Sequence, residues 1–372
     1  MNEWRKEKLS NLIELKYGKD HKNLKEGSFP CYGTGGIIRF VNTYLYNQES
    51  ILIPRKGSLK NLYYINSPFW TVDTLFWTKI STELVIPKFL YYKLKTINLN
   101  HLDEGSVIPS LTAKSLNKIN ILIPYLKIQK KIAKILSDID EKIELNNKIN
   151  DNLEKQLQIL FKKMFENKIN NINKNNSKPL KEFVEVIDNR GKTPPQSSIK
   201  TNFPIIDVKS LAGDTRIIDY NNCSKYVDNE IFNNWFRSGH PLKYDILIST
   251  VGSLAELKLF FENKGCIAQN VVSFRSKKIS ALYLYQYLKY IKNDLISYNI
   301  GSVQPSIKIT HIINYQIFYS DFEEINKFHN LAIKVTDKIF YNCKEIETLN
   351  KIKNYLLPKL MNEEINVENI EL

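Results

Sequence analysis

A short basic turn after an apolar run near residue 50 carries side chains that suit contact with nucleic acid. The run is ILIPRKGSL, Ile51 to Leu59, and its arginine and lysine stand beside a glycine, where side chains can reach a phosphate or the edge of a base. Arginine can donate two parallel hydrogen bonds to guanine, whereas lysine more often contacts phosphate. The candidate DNA-binding residues of this turn are Arg55, Lys56, Ser58 and Lys60.

The second half of the chain repeats this arrangement in a weaker form. ILISTVGSL, Ile246 to Leu254, corresponds to ILIPRKGSL, and NRGKTPP adds two cations ahead of it. The candidate DNA-binding residues of this half are Arg190, Lys192, Lys209, Ser249, Thr250 and Ser253. For every candidate in both halves, an ordinary solvated surface position is the open alternative.

Motifs for catalysis or cofactor binding are incomplete in this sequence. Gly191-Lys192-Thr193 matches the end of a phosphate-binding loop, but Val186 stands where that loop requires its first glycine, and two prolines follow. NSPFW departs from the Asn-Pro-Pro-aromatic loop of amino-methyltransferases at Ser67. No His-Glu-x-x-His motif is present, and no Ser-His-Asp set can be assigned. We therefore expect a non-catalytic chain with no catalytic residues, no metal site and no cofactor of its own.

The overall composition is that of a basic globular protein. Lys and Arg number 53 against 39 Asp and Glu, so the formal net charge is +14. This excess favours a polyanionic partner such as nucleic acid, although an AT-rich genome also inflates Lys, Asn and Ile without any binding role. The four cysteines form no Cys-x-x-Cys pair, and no apolar run approaches the length of a membrane span or a signal peptide. We expect a soluble, cytoplasmic protein with no membrane partner.

Two long amphipathic helices must hold these candidates in place. The first covers about 127–166 and the second about 321–360, each with apolar residues three and four positions apart. At about 1.5 Å per residue, a helix of roughly 40 residues is near 60 Å long, and its single apolar stripe needs a partner. Antiparallel pairing satisfies both stripes. The predicted packing residues are Ile132, Ile139, Ile143, Leu153, Val335, Ile339 and Leu349.

Asn146 and Asn342 fall at equivalent positions of the two helical stripes. A polar asparagine in a helix seam lowers stability but fixes the register of the pair. We predict this register-setting role for both residues. Exposure of both side chains to solvent is the open alternative.

An internal repeat organises the whole chain. GSVIPS, which begins at Gly105, recurs as GSVQPS at Gly301, and the strand and helix after each copy also correspond. The residues expected to shape these turns are Gly105, Ser106, Gly301 and Ser302. Short β-rich runs with glycine-bearing turns and one tyrosine-rich helix per module predict an α+β fold. Two similar α/β modules would be separated by an antiparallel, coiled-coil-like helix pair, in a pseudo-twofold repeat.

The same pattern predicts the domain boundaries. The polar segment NKINNINKNNSK separates the first helix from the second module and is typical of a linker. The predicted segments are 1–122 (first module), 123–166 (central helix), 167–178 (linker), 179–320 (second module), 321–361 (distal helix) and 362–372 (acidic tail).

Several stretches of the sequence resemble one known family. IPYLKIQKKIAKILSDIDEKIELNNKINDNLEKQLQILFKKMF, Ile123 to Phe165, is similar to that family's central conserved helix. FPCYGTGGI, ILIPRKGSL and FWTVDTLFW in the first module resemble its target-recognition domains, as do NRGKTPP, ILISTVGS and CIAQNVVSFR in the second. The distal helix departs from the usual pattern. The family is the specificity (S) subunit of type I restriction–modification systems, and the resemblance covers almost all of the chain.

This resemblance implies a protein that reads double-stranded DNA and cuts nothing. Each module would recognise one half of a bipartite, asymmetric target, and the helices would set the spacer between the halves. Modification subunits carrying S-adenosylmethionine would dock on this frame, and restriction subunits using ATP and Mg would join them. The alternatives are a helical scaffold without specific DNA binding and a fused DNA methyltransferase or nuclease, which the missing motifs disfavour.

Overall fold

The computed structural model describes residues 4–105, 108–368 and 370. The chain forms two compact units. The first contains the residues up to Ile143 and those from Thr348 onwards, and the second contains Glu144–Glu347. The first unit is therefore assembled from two stretches that are distant in sequence.

Among the described residues of the first unit, three small sheets form its β-structure. Its elements are β1 (Arg5–Lys8), α1 (Leu9–Leu12), β2 (Ile13–Tyr17), β3 (Phe29–Gly33), β4 (Gly36–Val41), β5 (Ser50–Pro54), β6 (Tyr63–Ile65), β7 (Trp70–Thr71), β8 (Leu75–Ile80), α2 (Pro87–Lys95), α3 (Ala113–Asn117), β9 (Asn120–Ile123) and the start of α4 (Leu126–Asn170). The main sheet, β2-β8-β5-β6, is antiparallel. In β4-β3-β7, β3 runs antiparallel to β4 and parallel to β7, and β1 pairs with β9.

The second unit follows the same plan. Its elements are β10 (Ser177–Pro179), β11 (Val184–Ile187), β12 (Phe203–Ile206), β13 (Tyr226–Val227), α5 (Asn229–Asn234), β14 (Ile246–Ser249), β15 (Leu257–Leu259), β16 (Cys266–Ile267), β17 (Val271–Ser276), α6 (Ala281–Tyr290), α7 (Lys292–Ser297), α8 (Ile309–Ile313), β18 (Gln316–Phe318) and α9 (Phe322–Met361). The sheet orders are β11-β17-β14-β15, β13-β12-β16 and β10-β18.

The two units share one topology, which confirms the internal repeat and the α+β fold class. The antiparallel sheet β2-β8-β5-β6 corresponds to β11-β17-β14-β15, and β4-β3-β7 corresponds to β13-β12-β16. Strand directions match as well, because β12 runs antiparallel to β13 and parallel to β16. The central strands β5 and β14 are buried at every residue, as their unbroken apolar runs predict.

The core of the first unit joins its sheet to both long helices. Phe76 of β8 and Phe89 of α2 pack in one cluster with Ile132 of α4. Leu360 and Met361, from the end of α9, complete the cluster, and all five side chains are at most 1% exposed. The first unit therefore depends on residues from the far end of the chain.

An aromatic cluster forms much of the second unit's core. Phe161 and Phe165 of α4 meet Tyr283 and Tyr287 of α6 and Phe328 of α9. The rings of Phe165 and Tyr283 make an edge contact at 5.0 Å between centroids. Each fully buried aromatic side chain stabilises the fold by about 1.5–3 kcal/mol, and edge contacts add about 0.5–1.5 kcal/mol.

The long helices begin and end close to their predicted limits. α4 starts at 126 because Ile123 belongs to β9, and it continues to 170, through the first residues of the predicted linker 167–178. Ser177 and Lys178, at the end of that linker, lie in β10. α9 starts after Asp321, whose carboxylate accepts a hydrogen bond from the backbone N–H of Glu324 at 3.0 Å, in the manner of an N-cap.

The described part of the acidic tail packs on the first unit. Val367 is 1% exposed and belongs to the core cluster of that unit. Lys131 of α4 donates to the carbonyls of Glu368 and Ile370 at 2.6 and 2.7 Å. The ammonium group of Lys131 thus anchors the segment that follows α9.

The predicted packing residues differ in their burial. Ile132 and Ile339 are 1% and 0% exposed, and Ile132 lies in the first unit's core. Leu153 and Val335 are half-buried and pack against the cluster around Ile339 in the second unit. The remaining three, which are also half-buried, are Ile139, Ile143 and Leu349.

Both predicted seam asparagines are buried in the second unit, so the solvent-exposed alternative is wrong. Asn146 is 2% exposed and donates from Nδ2 to Glu345 Oε2 at 2.8 Å. Asn342 is 1% exposed and donates from Nδ2 to Asn150 Oδ1 at 2.8 Å. Each asparagine is bonded across the α4–α9 seam, although the two do not bond each other.

A buried ion pair continues this polar row and ties α4 to the β-structure of the second unit. Glu154 accepts from Arg216 Nε at 2.7 Å and Nη2 at 2.9 Å, and the two side chains are 4% and 1% exposed. Arg216 also donates to Thr336 Oγ1 of α9 at 2.9 Å. One guanidinium therefore contacts both long helices.

None of the described helices combines the length and the apolar character needed to cross a membrane.

Candidate nucleic-acid interface

The basic turn of the first unit follows β5 and holds Arg55 in a defined position. Arg55 Nη1 donates to the backbone carbonyl of Asp73 at 2.7 Å and lies 3.5 Å from its carboxylate. The guanidinium carbon stands 5.4 Å from the centre of the Tyr17 ring, which is a cation–π contact. The side chain is 27% exposed, so it is fixed by protein contacts and still open to a ligand.

The other three candidates of this turn are exposed. Lys56, Ser58 and Lys60 all reach solvent, and no ion pair joins them within the described part of the chain. The backbone of this turn is fixed by a hydrogen bond, because Thr34 Oγ1 donates to the Lys56 carbonyl at 3.0 Å. Gly57 adopts a φ of +90°, which glycine tolerates without strain. Two free ammonium groups on a fixed backbone suit contact with phosphate.

The corresponding turn of the second unit holds two of its three predicted hydroxyl residues buried. Ser249 is 0% exposed, and its hydroxyl accepts from the Glu256 N–H at 2.8 Å while donating to the Ser253 carbonyl. Thr250 is also 0% exposed. In this conformation both hydroxyls bond within the protein, Ser249 inside the turn and Thr250 with the Asn270 carbonyl and Arg190, so contact with DNA stays a prediction for both. Ser253 is exposed.

The arginine of the second unit comes from the loop after β11. Arg190 donates two parallel hydrogen bonds to the Asp188 carboxylate, from Nε to Oδ1 at 2.9 Å and from Nη2 to Oδ2 at 3.0 Å. Its Nη1 donates to Thr250 Oγ1 at 3.1 Å. Burial raises the pKa of the Asp188 carboxyl, but the hydrogen bonds from Arg190 outweigh it, so the pKa lies below its ordinary value. The carboxylate stays ionised and holds the guanidinium in place.

An open depression of about 440 Å³ lies beside Arg190. Its lining includes Lys192, Thr193, Gln269 and Asn270. Lys192 is exposed, as is Lys209, which lies in a helical turn after β12. The site therefore combines two cations with amide side chains that can both donate and accept hydrogen bonds.

The repeated phrase closes the turn after β5 in the first unit and the corresponding turn after β14 in the second. The N–H of Gly57 donates to the Pro109 carbonyl at 2.9 Å, and the N–H of Gly252 donates to the Pro305 carbonyl at 2.9 Å. Asp103 accepts from the N–H groups of Gly105 and Ser110, and Asn299 accepts from those of Gly301 and Ser306. Gly105, Gly301 and Ser302 lie in these turns, whereas Ser106 is outside the described residues.

Steric crowding explains why each copy begins with glycine. A Cβ on Gly105 would lie 2.0 Å from the Ile108 carbonyl oxygen, and one on Gly301 would lie 1.9 Å from that of Gln304. Both turns thus fold back too tightly for any other residue. In both units the repeated phrase therefore holds the loop that follows the central strand of the main sheet, β5 or β14.

The sequence matches the model of one protein family twice. The family is the type I restriction modification DNA specificity domain, and the two matches cover residues 1–155 and 173–352. The chain belongs to this family. The two matches cover the two repeats, so each unit carries the sequence features of one specificity domain.

Curated specificity subunits are similar to nearly all of this chain or to part of it. The type I restriction enzyme MjaIX specificity subunit of Methanocaldococcus jannaschii is 25% identical, across 97% of this chain and 86% of its own length. The putative specificity subunit S.MpnORF285P of Mycoplasma pneumoniae is 30% identical, over 34% of this chain and 45% of its own length.

A solved specificity subunit has the same fold. The S subunit of the type I restriction–modification system of M. genitalium superposes with a TM-score of 0.62, at 18% identity, over 96% of each chain. At this identity the likeness concerns the fold.

Sequence reasoning missed several residues that shape the interface of this specificity chain. Asp73 and Asp188 orient the two arginines, and Thr34 and Asn61 fix the loops of the first unit, with Asn61 Nδ2 donating to the Thr34 carbonyl at 2.9 Å. The spacing in Asp188-Asn-Arg190 was a usable signal, because a carboxylate two residues before an arginine can bond it locally. The contact of Asp73 with Arg55 could not be predicted, because no sequence pattern relates the two residues. Within residues 4–105, 108–368 and 370, no cluster of three or more His, Cys, Asp or Glu could hold a metal.

Proposed function

We propose that this chain is the DNA-recognition subunit of a type I restriction–modification complex, with each unit reading one half of a bipartite, asymmetric target. The observation that carries the proposal is the repeat of one DNA specificity domain over both halves of the chain, with the loops after β5 and β14 at corresponding positions. The loops differ in sequence, Arg-Lys-Gly-Ser in one unit and Thr-Val-Gly-Ser in the other, and unequal loops predict unequal half-sites.

The charge of the chain supports a duplex as the partner. A net charge of +14 attracts the phosphate backbone regardless of sequence, and lysines such as Lys56, Lys60 and Lys192 contribute at the loops themselves. Sequence discrimination then depends on groups with fixed geometry, such as the two anchored arginines. We place this activity in the cytoplasm, where a restriction system meets DNA.

The long helices provide the surface for partner subunits. Apolar side chains of α4 and α9 remain on the outside of the second unit: Ile159 and Tyr341 are each 67% exposed, and Leu145 and Leu331 are 51% and 49% exposed. Exposed apolar side chains on a structured helix are typical of protein interfaces. Modification subunits would cover this face and bring S-adenosylmethionine, while restriction subunits would bring ATP and Mg²⁺. The chain itself would position these enzymes and catalyse nothing.

Methylation mapping tests the proposed function. DNA from cells that express the chain with its modification subunit is compared with DNA from cells that lack the chain. We expect a bipartite motif, methylated on adenine in both halves, that appears only when the chain is present. A stable complex with the modification subunit that leaves DNA unmethylated would contradict the role in recognition, and the absence of any complex would contradict membership of a type I assembly.

A further inference from the structure

The two units place an arginine at the same point of their folds by different routes. Arg55 and Thr250 occupy corresponding backbone positions: their N–H groups donate to the carbonyls of Thr74 and Asn270, each at 2.8 Å. Their own carbonyls accept from Leu111 and Ile307, each at 2.9 Å. In the first unit the residue at this position is itself the arginine.

In the second unit, an arginine from another loop reaches the same position. Arg190 Nη1 contacts the hydroxyl of Thr250, the counterpart of Arg55. The two guanidinium groups are therefore at matching places, although they are 135 positions apart and not aligned in the repeat. Their side chains are 27% and 26% exposed, and each is held by one aspartate.

Each arginine keeps unused donors at this position. A guanidinium has five N–H donors. The hydrogen bonds of Arg55 within the described residues use Nη1, which leaves Nε and Nη2. Arg190 uses Nε, one proton of Nη2 and one of Nη1, which leaves one proton on each terminal nitrogen. Two adjacent N–H donors in one plane match the N7 and O6 acceptors of guanine in the major groove.

We propose that Arg55 and Arg190 each read one guanine, at corresponding positions of the two half-sites. The inference rests on the proposed function and adds the residue and the base that carry discrimination in each half. Asp73 and Asp188 act as positioning residues, because they hold the guanidinium plane before DNA arrives and so reduce the entropy lost on binding. The neighbouring lysines contact phosphate and carry no base preference.

The test uses the full chain in complex with its modification subunit, once methylation mapping has given the wild-type motif. Arg55→Lys and Arg190→Lys keep the charge but cannot make the paired hydrogen bonds. We expect each to lose discrimination at one guanine, by about 5- to 150-fold in the methylation rate relative to a substituted site, and to do so in opposite halves of the motif.

Matched controls separate base reading from charge. Lys56→Ala and Lys192→Ala remove an exposed cation one or two residues from each arginine. We expect both to slow methylation of all sequences alike and to reduce the slope of log affinity against log salt by about one. Asp188→Asn, which leaves Arg190 in the chain but loosens its clamp, should weaken discrimination in the same half as Arg190→Lys. Thermal unfolding and complex formation at wild-type levels confirm that each variant is folded.

Several results would overturn the assignment. A half-site made only of A·T pairs, arginine variants that behave like the lysine variants, or relaxation of the same half by both arginine variants would each do so. If the wild-type complex produced no bipartite motif, this would contradict the proposed function, and the assignment of the two arginines to guanines would fail with it. An intact motif that neither arginine variant changes would remove the assignment alone.

Discussion

At the scale of single residues, the repeated turn depends on glycine for a steric reason. The N–H groups of Gly105 and Ser110 converge on Asp103 Oδ1 at 2.8 and 2.7 Å, and these bonds lower the pKa of the Asp103 carboxyl. This convergence folds the chain back on itself and leaves no volume for a Cβ at Gly105. Asn299 supplies the same acceptor in the second unit, so the turn needs an oxygen at that position and not a charge.

Gly105→Ala tests this account of the turn. Because the new Cβ would lie 2.0 Å from a backbone oxygen, the turn must open, and we expect a loss of about 1–3 kcal/mol in the free energy of unfolding of the first unit. Gly35→Ala is the matched control, since a Cβ there meets nothing within 4 Å and its φ is not positive. Denaturant unfolding of both variants measures the difference. Equal stability of the two would contradict the steric account.

At the scale of elements, the seam between α4 and α9 in the second unit is polar. Asn146, Asn150 and Glu154 lie four residues apart along α4 and are at most 3% exposed. An apolar seam stabilises a helix pair equally well in several registers, whereas buried polar groups are satisfied in only one. Glu154 extends this selectivity to the β-structure, because Arg216 lies in the long stretch between β12 and β13, where the first unit has only the short turn between β3 and β4.

The Glu154–Arg216 pair predicts a pH-dependent stability. Burial raises the pKa of Glu154, but Arg216 and Lys289 outweigh it, so the pKa of the folded form lies below its ordinary 4.5. The stabilisation is therefore complete above 4.5 and is lost as the pH falls through the lower, folded value. We expect Glu154→Gln to cost about 3–5 kcal/mol near neutral pH, because it leaves a buried guanidinium without its counter-ion, and to differ less from the wild type in acid.

Denaturant unfolding at a series of pH values measures this difference. A double variant, Glu154→Leu with Arg216→Met, serves as the control, because apolar residues of similar size remove both charges together and should recover most of the lost stability. A Glu154→Gln deficit that is the same at every pH would show that the ion pair is not its source.

The elements themselves were largely predictable, and the reason is periodicity. Steps of three and four residues identified both helices, and unbroken apolar runs identified β5 and β14. The contacts of the site were not predictable, because they join residues with no sequence relation. Arg55 meets Asp73 across 18 positions and Arg190 meets Thr250 across 60. The burial of Ser249 and Thr250 was not predictable for a related reason: a hydroxyl that faces solvent and one that bonds within the protein look alike in sequence.

At the scale of the whole molecule, the first unit contains two segments that are far apart in the sequence. Along the sequence, the first module is followed directly by the central helix, and the whole second module separates it from the distal helix. In the structure, the first unit also contains the residues from Thr348 onwards. Lys353 of α9 pairs with Asp140 of α4, and Lys93 of α2 donates to the Met361 carbonyl. The first unit is therefore closed by residues that follow the whole second unit in sequence.

This architecture predicts that a fragment of residues 1–170 will not fold stably. It lacks Leu360, Met361 and Val367, which are at most 1% exposed in the first unit's core, and burial of each contributes about 1.5–3 kcal/mol. Co-expression of residues 322–372 should restore a folded first unit, because this segment carries the missing side chains together with the tail that Lys131 anchors. Leu360→Asp with Met361→Asp in the added segment is the control and should abolish rescue. Amide hydrogen exchange in β5 and β8 reports the outcome, and strong protection in the unassisted fragment would show that the first unit folds without the end of the chain.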